Sequence, residues 1–121
     1  MHIILEKKLE RQDEIFYRYS VGKIKFWFSQ TNNTGNIYAV YVGIEDKEYA
    51  NDFEIRIYNN DREDIYYPVH FRMEIRRQDI LTSAINEHIR KIKYITSVVD
   101  AIQNFFETSE HRQLYKGKYC S

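Results

Sequence analysis

A chain of 121 residues with 43% hydrophobic and 30% charged residues is a globular chain of one domain's length, and its composition excludes a disordered one. Lysine plus arginine and aspartate plus glutamate both number 18, so the formal charge is zero. That balance removes the strong basic excess that marks most nucleic-acid and anionic-membrane binders.

The amino terminus, Met1-His2-Ile3-Ile4-Leu5-Glu6-Lys7-Lys8, has too short an apolar run for a secretory leader. No segment approaches the ~18 apolar residues that span a bilayer. With a single cysteine, Cys120, no intrachain disulfide can form. These features together predict a cytoplasmic protein without membrane attachment. Gly (4) and Pro (1) are scarce, so turns must rest on Asn and Asp. Tyrosine is abundant at 11, and its apolar ring with a polar tip suits half-buried sheet faces and binding surfaces.

In chain order, residues 3–10 alternate weakly through Ile3, Leu5, Lys7 and Leu9 and suit a strand or a helix. Gln12-Asp13 reads as a turn. Ile15, Tyr17, Tyr19 and Val21 then alternate with Phe16, Arg18 and Ser20, and Gly22 closes that strand. Ile24, Phe26 and Phe28 follow on one face, with Lys23, Lys25 and Trp27 opposite. Gln30 to Asn36 is a loop of turn-forming residues. Residues 37–44 are apolar on both faces, the pattern of a strand covered on both sides. Phe53, Ile55 and Ile57 alternate with Glu54, Arg56 and Tyr58. The clearest alternation sets Ile65, Tyr67, Val69, Phe71, Met73 and Ile75 against Tyr66, Pro68, His70, Arg72, Glu74 and Arg76. Pro68 lacks a ladder donor, which points to an edge strand or a bulge there.

At Gln78-Asp79 the period changes. Leu81, Ile85, His88, Ile92, Ile95, Val99, Ile102 and Phe106 recur at alternating spacings of four and three, which predicts a helix from Gln78 to about Glu107. Ile80, Ala84, Ile89, Val98 and Phe105 widen this stripe into a face suited to a sheet rather than a coiled-coil seam. Tyr94 to Val99 is poor helix material, and a kink or break there would shorten the stripe, which is longer than a ten-residue strand. The run Arg90-Lys91-Ile92-Lys93 reads as the solvent side. The fold class is therefore α+β: a single domain, residues 1–121, with an antiparallel β-meander of five or six strands and a long C-terminal helical segment on one face. Residues 109–121 read as a flexible tail.

The chemistry-bearing residues form no familiar constellation. The histidines His2, His70, His88 and His111 make no H-x3-H or H-E-x-x-H pair, and no second cysteine exists to share a metal. His88 stands out because it lies in the helical stripe, where it could meet His70 from the sheet. There is no G-x-S-x-G, P-loop or G-x-G-x-x-G. The pair Asp64 and Glu74 has the spacing of a nuclease carboxylate pair but lacks the accompanying lysine. No cofactor and no metal is expected, and the chain reads as a non-enzymatic binding domain.

Three readings of the function compete. Acidic turns at Glu45, Asp46, Glu48 and at Asp61, Glu63, Asp64, with Tyr66 and Tyr67 beside the second, suit a basic protein partner. Carboxylates raise the association rate and tyrosines supply rigid contact area. This predicts a stoichiometric inhibitor of the immunity-protein or antitoxin type, bacterial in origin, with another protein as partner, such as a basic toxin domain. One strand separates the turns, which places them at opposite ends of the sheet and favours Asp61 to Tyr67. The second reading is a nucleic-acid module that uses Arg18, Lys23, Lys25, Trp27, His70, Arg72 and Arg76 on one sheet face. The third is an oligomeric structural or phage-encoded accessory protein. The chain is expected to be a monomer or weak homodimer, any dimer pairing edge strands or using spare length of the helix.

Overall fold

The computed structural model describes residues 1–59, 71–77 and 85–111. Among these residues six strands and two helices follow in the order β1 (Ile4–Glu10), β2 (Glu14–Val21), β3 (Ile24–Thr31), β4 (Ile37–Ile44), α1 (Lys47–Asp52), β5 (Phe53–Asn59), β6 (Phe71–Arg77) and α2 (Ile85–Thr108). The fold is α+β, with an antiparallel meander and a long C-terminal helix, as the periodicity predicts. The strands form two sheets. β1-β2-β3-β4 make a four-stranded antiparallel sheet in chain order, and β5-β6 make an antiparallel pair. β5 lies against β4 without joining its ladder.

Local sequence explains the turns. β2 and β3 are joined by Gly22-Lys23 alone, Val21 facing Ile24 across the hairpin. A two-residue hairpin needs a positive φ, and Gly22 supplies it at 57°. In the β3–β4 loop Gly35 has φ 70°, its N–H donates to the Thr31 carbonyl at 2.9 Å, and the Thr31 N–H donates to the Asn36 carbonyl at 3.0 Å. The acidic turn expected after β4, Glu45 to Glu48, instead runs into the start of α1. Asp46 caps it, Oδ1 accepting the Tyr49 N–H at 3.2 Å.

Two bulges account for the strands whose alternation is weak. Between Phe28 and Gln30 the β3–β4 register shifts, so Ile37 and Val40 both face the core although they are three residues apart. The strand is therefore not covered on both sides: Tyr41 is 54% exposed. In β1 the register shifts between Leu5 and Lys7, leaving Glu6 as the extra residue. Residues 4–10 form a strand, not a helix, and all seven are exposed.

The core lies between the sheets and α2. Val21, Ile24, Phe26 and Phe28 from β2 and β3, and Ile95, Val98 and Ile102 from α2, are almost wholly buried. Phe105 and Phe106 meet Phe26 edge-on at 5.5 and 5.6 Å. Ile55 and Met73 cover the β5–β6 side. Of the kink or break considered at Tyr94 to Val99, no break occurs: α2 runs through this stretch as one helix. Burial of Ile95, Val98 and Val99 outweighs their weak propensity, and the Ser97 hydroxyl is satisfied by the Lys93 carbonyl at 3.0 Å. The part of the expected helix over 78–84 lies outside the described residues. No helix among the described residues is long and apolar enough to cross a membrane.

Candidate functional site

The first acidic cluster lies at the β4–α1 junction, where three lysines meet it. Asp46 Oδ2 accepts from Lys23 Nζ at 2.8 Å. Lys25 Nζ lies 3.4 Å from Glu45 and 3.3 Å from Glu6. Lys91 Nζ, from α2, reaches Asp52 at 2.7 Å and Glu48 at 3.0 Å. Tyr49 is buried at the centre, with Lys23 and Lys91 over its ring at 5.2 and 5.6 Å. The Lys23 ammonium, and then the Tyr49 N–H, hold the Asp46 carboxyl below its usual range. Lys91 is held above its usual value by Asp52 first and then by Glu48. Glu45, Asp46 and Glu48 thus each have a cation in place, which reduces the field they present to a basic partner.

Lys91 departs from the expected solvent side of the helix: it is only 5% exposed. The signal was available, because His88, Lys91, Ile95, Val98 and Ile102 themselves repeat at spacings of three and four. That seam faces the protein, and Ile85 and Ile89 are the exposed positions. Of the second acidic turn, Asp61, Glu63, Asp64, Tyr66 and Tyr67 all lie outside the described residues, as do Pro68 and His70.

The four-stranded sheet turns its other face to solvent, and one row of side chains crosses it. In register, Lys7 on β1 faces Arg18 on β2, Arg18 faces Trp27 on β3, and Trp27 faces Tyr41 on β4. The row is built by alternation, since the odd residues of β2 and the even residues of β3 point into the core. Trp27 and Tyr41 stack with centroids 6.3 Å apart at 17°. The edge of the indole overlies Gly43, with a ring carbon 3.5 Å from where a Cβ would stand. The Arg18 guanidinium lies over Trp27 at 5.8 Å and over Phe16 at 5.9 Å. No ion pair of Arg18 or Lys7 is found among the described residues.

This face contains part of the basic aromatic set read from the sequence: Arg18, Lys25 and Trp27 share it. Lys23 does not, because it occupies the hairpin turn and pairs with Asp46. Arg76 pairs with Glu74 at 3.3 Å on the separate β5–β6 sheet, and the side chain of Arg72 lies outside the described residues. Sequence reasoning missed Tyr41, because the bulge in β3–β4 disguised which face of β4 was open. It also left Phe16 and Lys7 out of the set.

Among the described residues two histidines are buried. His88 stacks on Phe53 at 4.9 Å and 28°, and its Nδ1 finds no hydrogen-bond partner among the described residues. His111, assigned to the tail, is 2% exposed and sits beyond the end of α2 against β2 and β3. Its Nδ1 lies 3.0 Å from Gln30 Oε1, and its Nε2 makes a short hydrogen bond with the Tyr19 hydroxyl. Tyr17 meets the ring edge-on at 4.3 Å. Residues 112–121 lie outside the described residues. Among the described residues no group of three or more His, Cys, Asp or Glu side chains is arranged to hold a metal ion. No protein-family model, curated protein or solved structure matches the chain.

Proposed function

We propose that the chain is a non-enzymatic protein-binding domain, of the stoichiometric-inhibitor kind exemplified by immunity proteins and antitoxins, and that it meets its partner on the open face of the four-stranded sheet. The supporting observation is the row Lys7, Arg18, Trp27 and Tyr41. Trp, Tyr and Arg are the residue types that dominate binding energy at protein interfaces. Here Trp27 stacks on Tyr41 and Arg18 lies over Trp27, contacts that lower the side-chain entropy lost on binding. The acidic turn at Glu45, Asp46 and Glu48 is the weaker surface because its carboxylates are matched within the chain. It serves this reading as a rim, and Asp61 to Tyr67 stays with it as the rival contact.

The test uses immobilised wild-type chain to capture a partner from cells of the source organism. The captured protein is then purified and titrated by calorimetry against wild type and against Trp27→Ala and Arg18→Ala. A one-to-one complex weakened about tenfold or more by either substitution supports the reading. A partner bound equally by wild type and both variants rejects the sheet face.

A second reading has one observation in its favour. An arginine within 6 Å of two aromatic rings, beside a stacked Trp–Tyr pair, is also a platform for unpaired bases. The neutral overall charge, and the Glu6 and Glu45 carboxylates drawn to Lys25 on this side, place it behind protein binding.

A further inference from the structure

The outer strand of the four-stranded sheet, β1, carries an unusual pattern. Ile4, Leu5 and Leu9 are 59%, 47% and 38% exposed. β4, at the other side of the sheet, has β5 against it, whereas β1 pairs only with β2 among the described residues. Lysines and a bulge are the usual guards of such an edge, and both are present at Lys7, Lys8 and Glu6. Three exposed large apolar side chains on seven residues are not.

The bulge fixes which face each residue uses. Leu5 faces the buried Tyr19 and Lys8 faces the buried Tyr17, so both lie on the core side of the sheet. Ile4 faces Ser20, Lys7 faces Arg18 and Leu9 faces Phe16, so these three lie on the open side. Glu6 is the extra residue, and its contact with Lys25 turns it to the open side too. The order of faces along 4–9 is therefore open, core, open, open, core, open. That order reads the same in both directions.

An antiparallel pair related by a two-fold axis normal to the sheet must bring together residues on the same face. In a regular strand only registers centred on a residue meet this condition. Here the bulge allows a register centred between Glu6 and Lys7. It sets Ile4 opposite Leu9, Leu5 opposite Lys8 and Glu6 opposite Lys7, each pair occurring twice. Apolar meets apolar on the open face, opposite charges meet at the axis, and the lysine stem of residue 8 covers Leu5. The same lysines and bulge remain mismatched to an unrelated strand.

We propose that β1 is the contact strand of a homodimer, its occupant a second copy of β1 in this register. The two four-stranded sheets then become one continuous sheet of eight strands. The two open faces lie on the same side, and the two-fold axis relates the row from Lys7 to Tyr41 on one copy to that on the other. The area covered by one strand pair is small, so association is weak and reversible. This inference is independent of what binds the open face.

Sedimentation equilibrium of the full chain, from micromolar to high micromolar concentration, tests it with two charge-reversal variants at exposed positions. Glu6→Lys places two lysines opposite two lysines, and Lys7→Glu places two glutamates opposite two glutamates. Each variant alone is expected to self-associate about tenfold or more weakly than wild type. An equimolar mixture of the two restores opposite charges across the axis and is expected to form a heterodimer at least as readily as wild type forms its dimer. Circular dichroism confirms that both variants are folded. A wild type that stays monomeric throughout the range overturns the proposal and leaves the edge to a foreign strand. So do variants that dimerise as wild type does, or a mixture that fails to associate.

Discussion

The hydroxyl of Tyr94, on α2, fills the space beside Gly22 in the β2–β3 hairpin, and it accepts the Lys23 N–H at 2.9 Å. The helix is thereby tied to the tightest turn of the sheet by one hydrogen bond and one missing side chain. Gly22 is required twice, once for its positive φ and once because a Cβ would overlap the Tyr94 hydroxyl. Gly22→Ala is expected to cost roughly 1–3 kcal/mol from backbone strain and overlap together. Tyr94→Phe is expected to cost about 1 kcal/mol for the lost hydrogen bond. The double variant should be less destabilised than the sum, because removing the hydroxyl relieves the overlap. Urea denaturation of the four proteins measures this cycle, and strict additivity would separate the two residues.

His111 makes stability depend on pH. The Gln30 amide nitrogen donates to the Gly35 carbonyl at 2.8 Å, which leaves Oε1 as the acceptor facing His111. Nδ1 therefore carries the proton, and Nε2 accepts from the Tyr19 hydroxyl. Burial pushes the imidazole below its ordinary value against the opposing pull of Glu110, and Lys8 adds to the lowering. Burial, Glu110 and Tyr17 push the Tyr19 hydroxyl up to about 12. An unfolded imidazole takes a proton near its reference value of 6.5, whereas the folded one resists it. The unfolded state thus binds more protons in mildly acidic solution. The contribution is complete above about 6.5 and is lost as pH falls through the depressed folded value. Denaturation midpoints should drop between pH 7 and 5, roughly the titration range of a histidine. His111→Phe should flatten that slope and cost about 1–3 kcal/mol at neutral pH, by leaving Gln30 Oε1 and the Tyr19 hydroxyl without their partner. A variant that keeps the wild-type slope would assign the pH dependence elsewhere.

The architecture was legible because alternation and helical spacing are direct consequences of one-sided burial. Tyr17, Tyr19 and Val21 against Ile24, Phe26 and Phe28 specify a hairpin with one apolar face, and Gly22 marks its turn. The failures have two physical sources. Bulges insert a residue without leaving a compositional mark, so Ile37 and Val40 looked like opposite faces and Tyr41 was hidden. A charged residue can also be buried when its partners come from elsewhere in the chain. Lys91 meets Glu48 and Asp52 only after α1 has formed, and His111 meets Gln30 only after α2 has crossed the sheet. The seam spacing turns Lys91 inward, but neither contact has a local signature that identifies its partner. The acidic cluster illustrates the same limit: its charges are visible in sequence, and the lysines that match them are not.

The buried seam of α2 gives a prediction about the core. Ile95 and Ile102 are fully buried, while Ile89, in the apolar stripe read from sequence, is 44% exposed. Ile95→Ala and Ile102→Ala are expected to cost about 2–5 kcal/mol each, against roughly 0.5 kcal/mol or less for Ile89→Ala. Ile92 is only partly buried, so Ile92→Asp should be less damaging than Ile95→Asp, which forces an unpaired charge into the core. Thermal melts rank the set. Equal losses at Ile89 and Ile95 would show that the helix turns a different face to the sheets.

The competing binding surfaces can be separated because Trp27 is the only tryptophan. Its indole lies on the open face between Arg18 and Tyr41, so its fluorescence reports contacts there and nowhere else. If the sheet face binds protein, titration with the captured partner should change the Trp27 emission. Single-stranded DNA or RNA at low salt should leave it unchanged. If the face is a platform for bases, oligonucleotides should quench the emission, and the apparent affinity should fall steeply with added salt as phosphate contacts are screened. Arg18→Ala should abolish that quenching, whereas Lys23→Ala should have little effect because Lys23 is in the hairpin turn with Asp46. The acidic turns predict a third pattern. Replacing Asp61, Glu63 and Asp64 together by alanine should slow association with a basic partner by about tenfold or more, through lost electrostatic steering, and leave the Trp27 signal of the final complex unchanged. A partner whose binding leaves Trp27 silent and is weakened by the triple alanine variant would transfer the interface from the sheet face to Asp61–Tyr67.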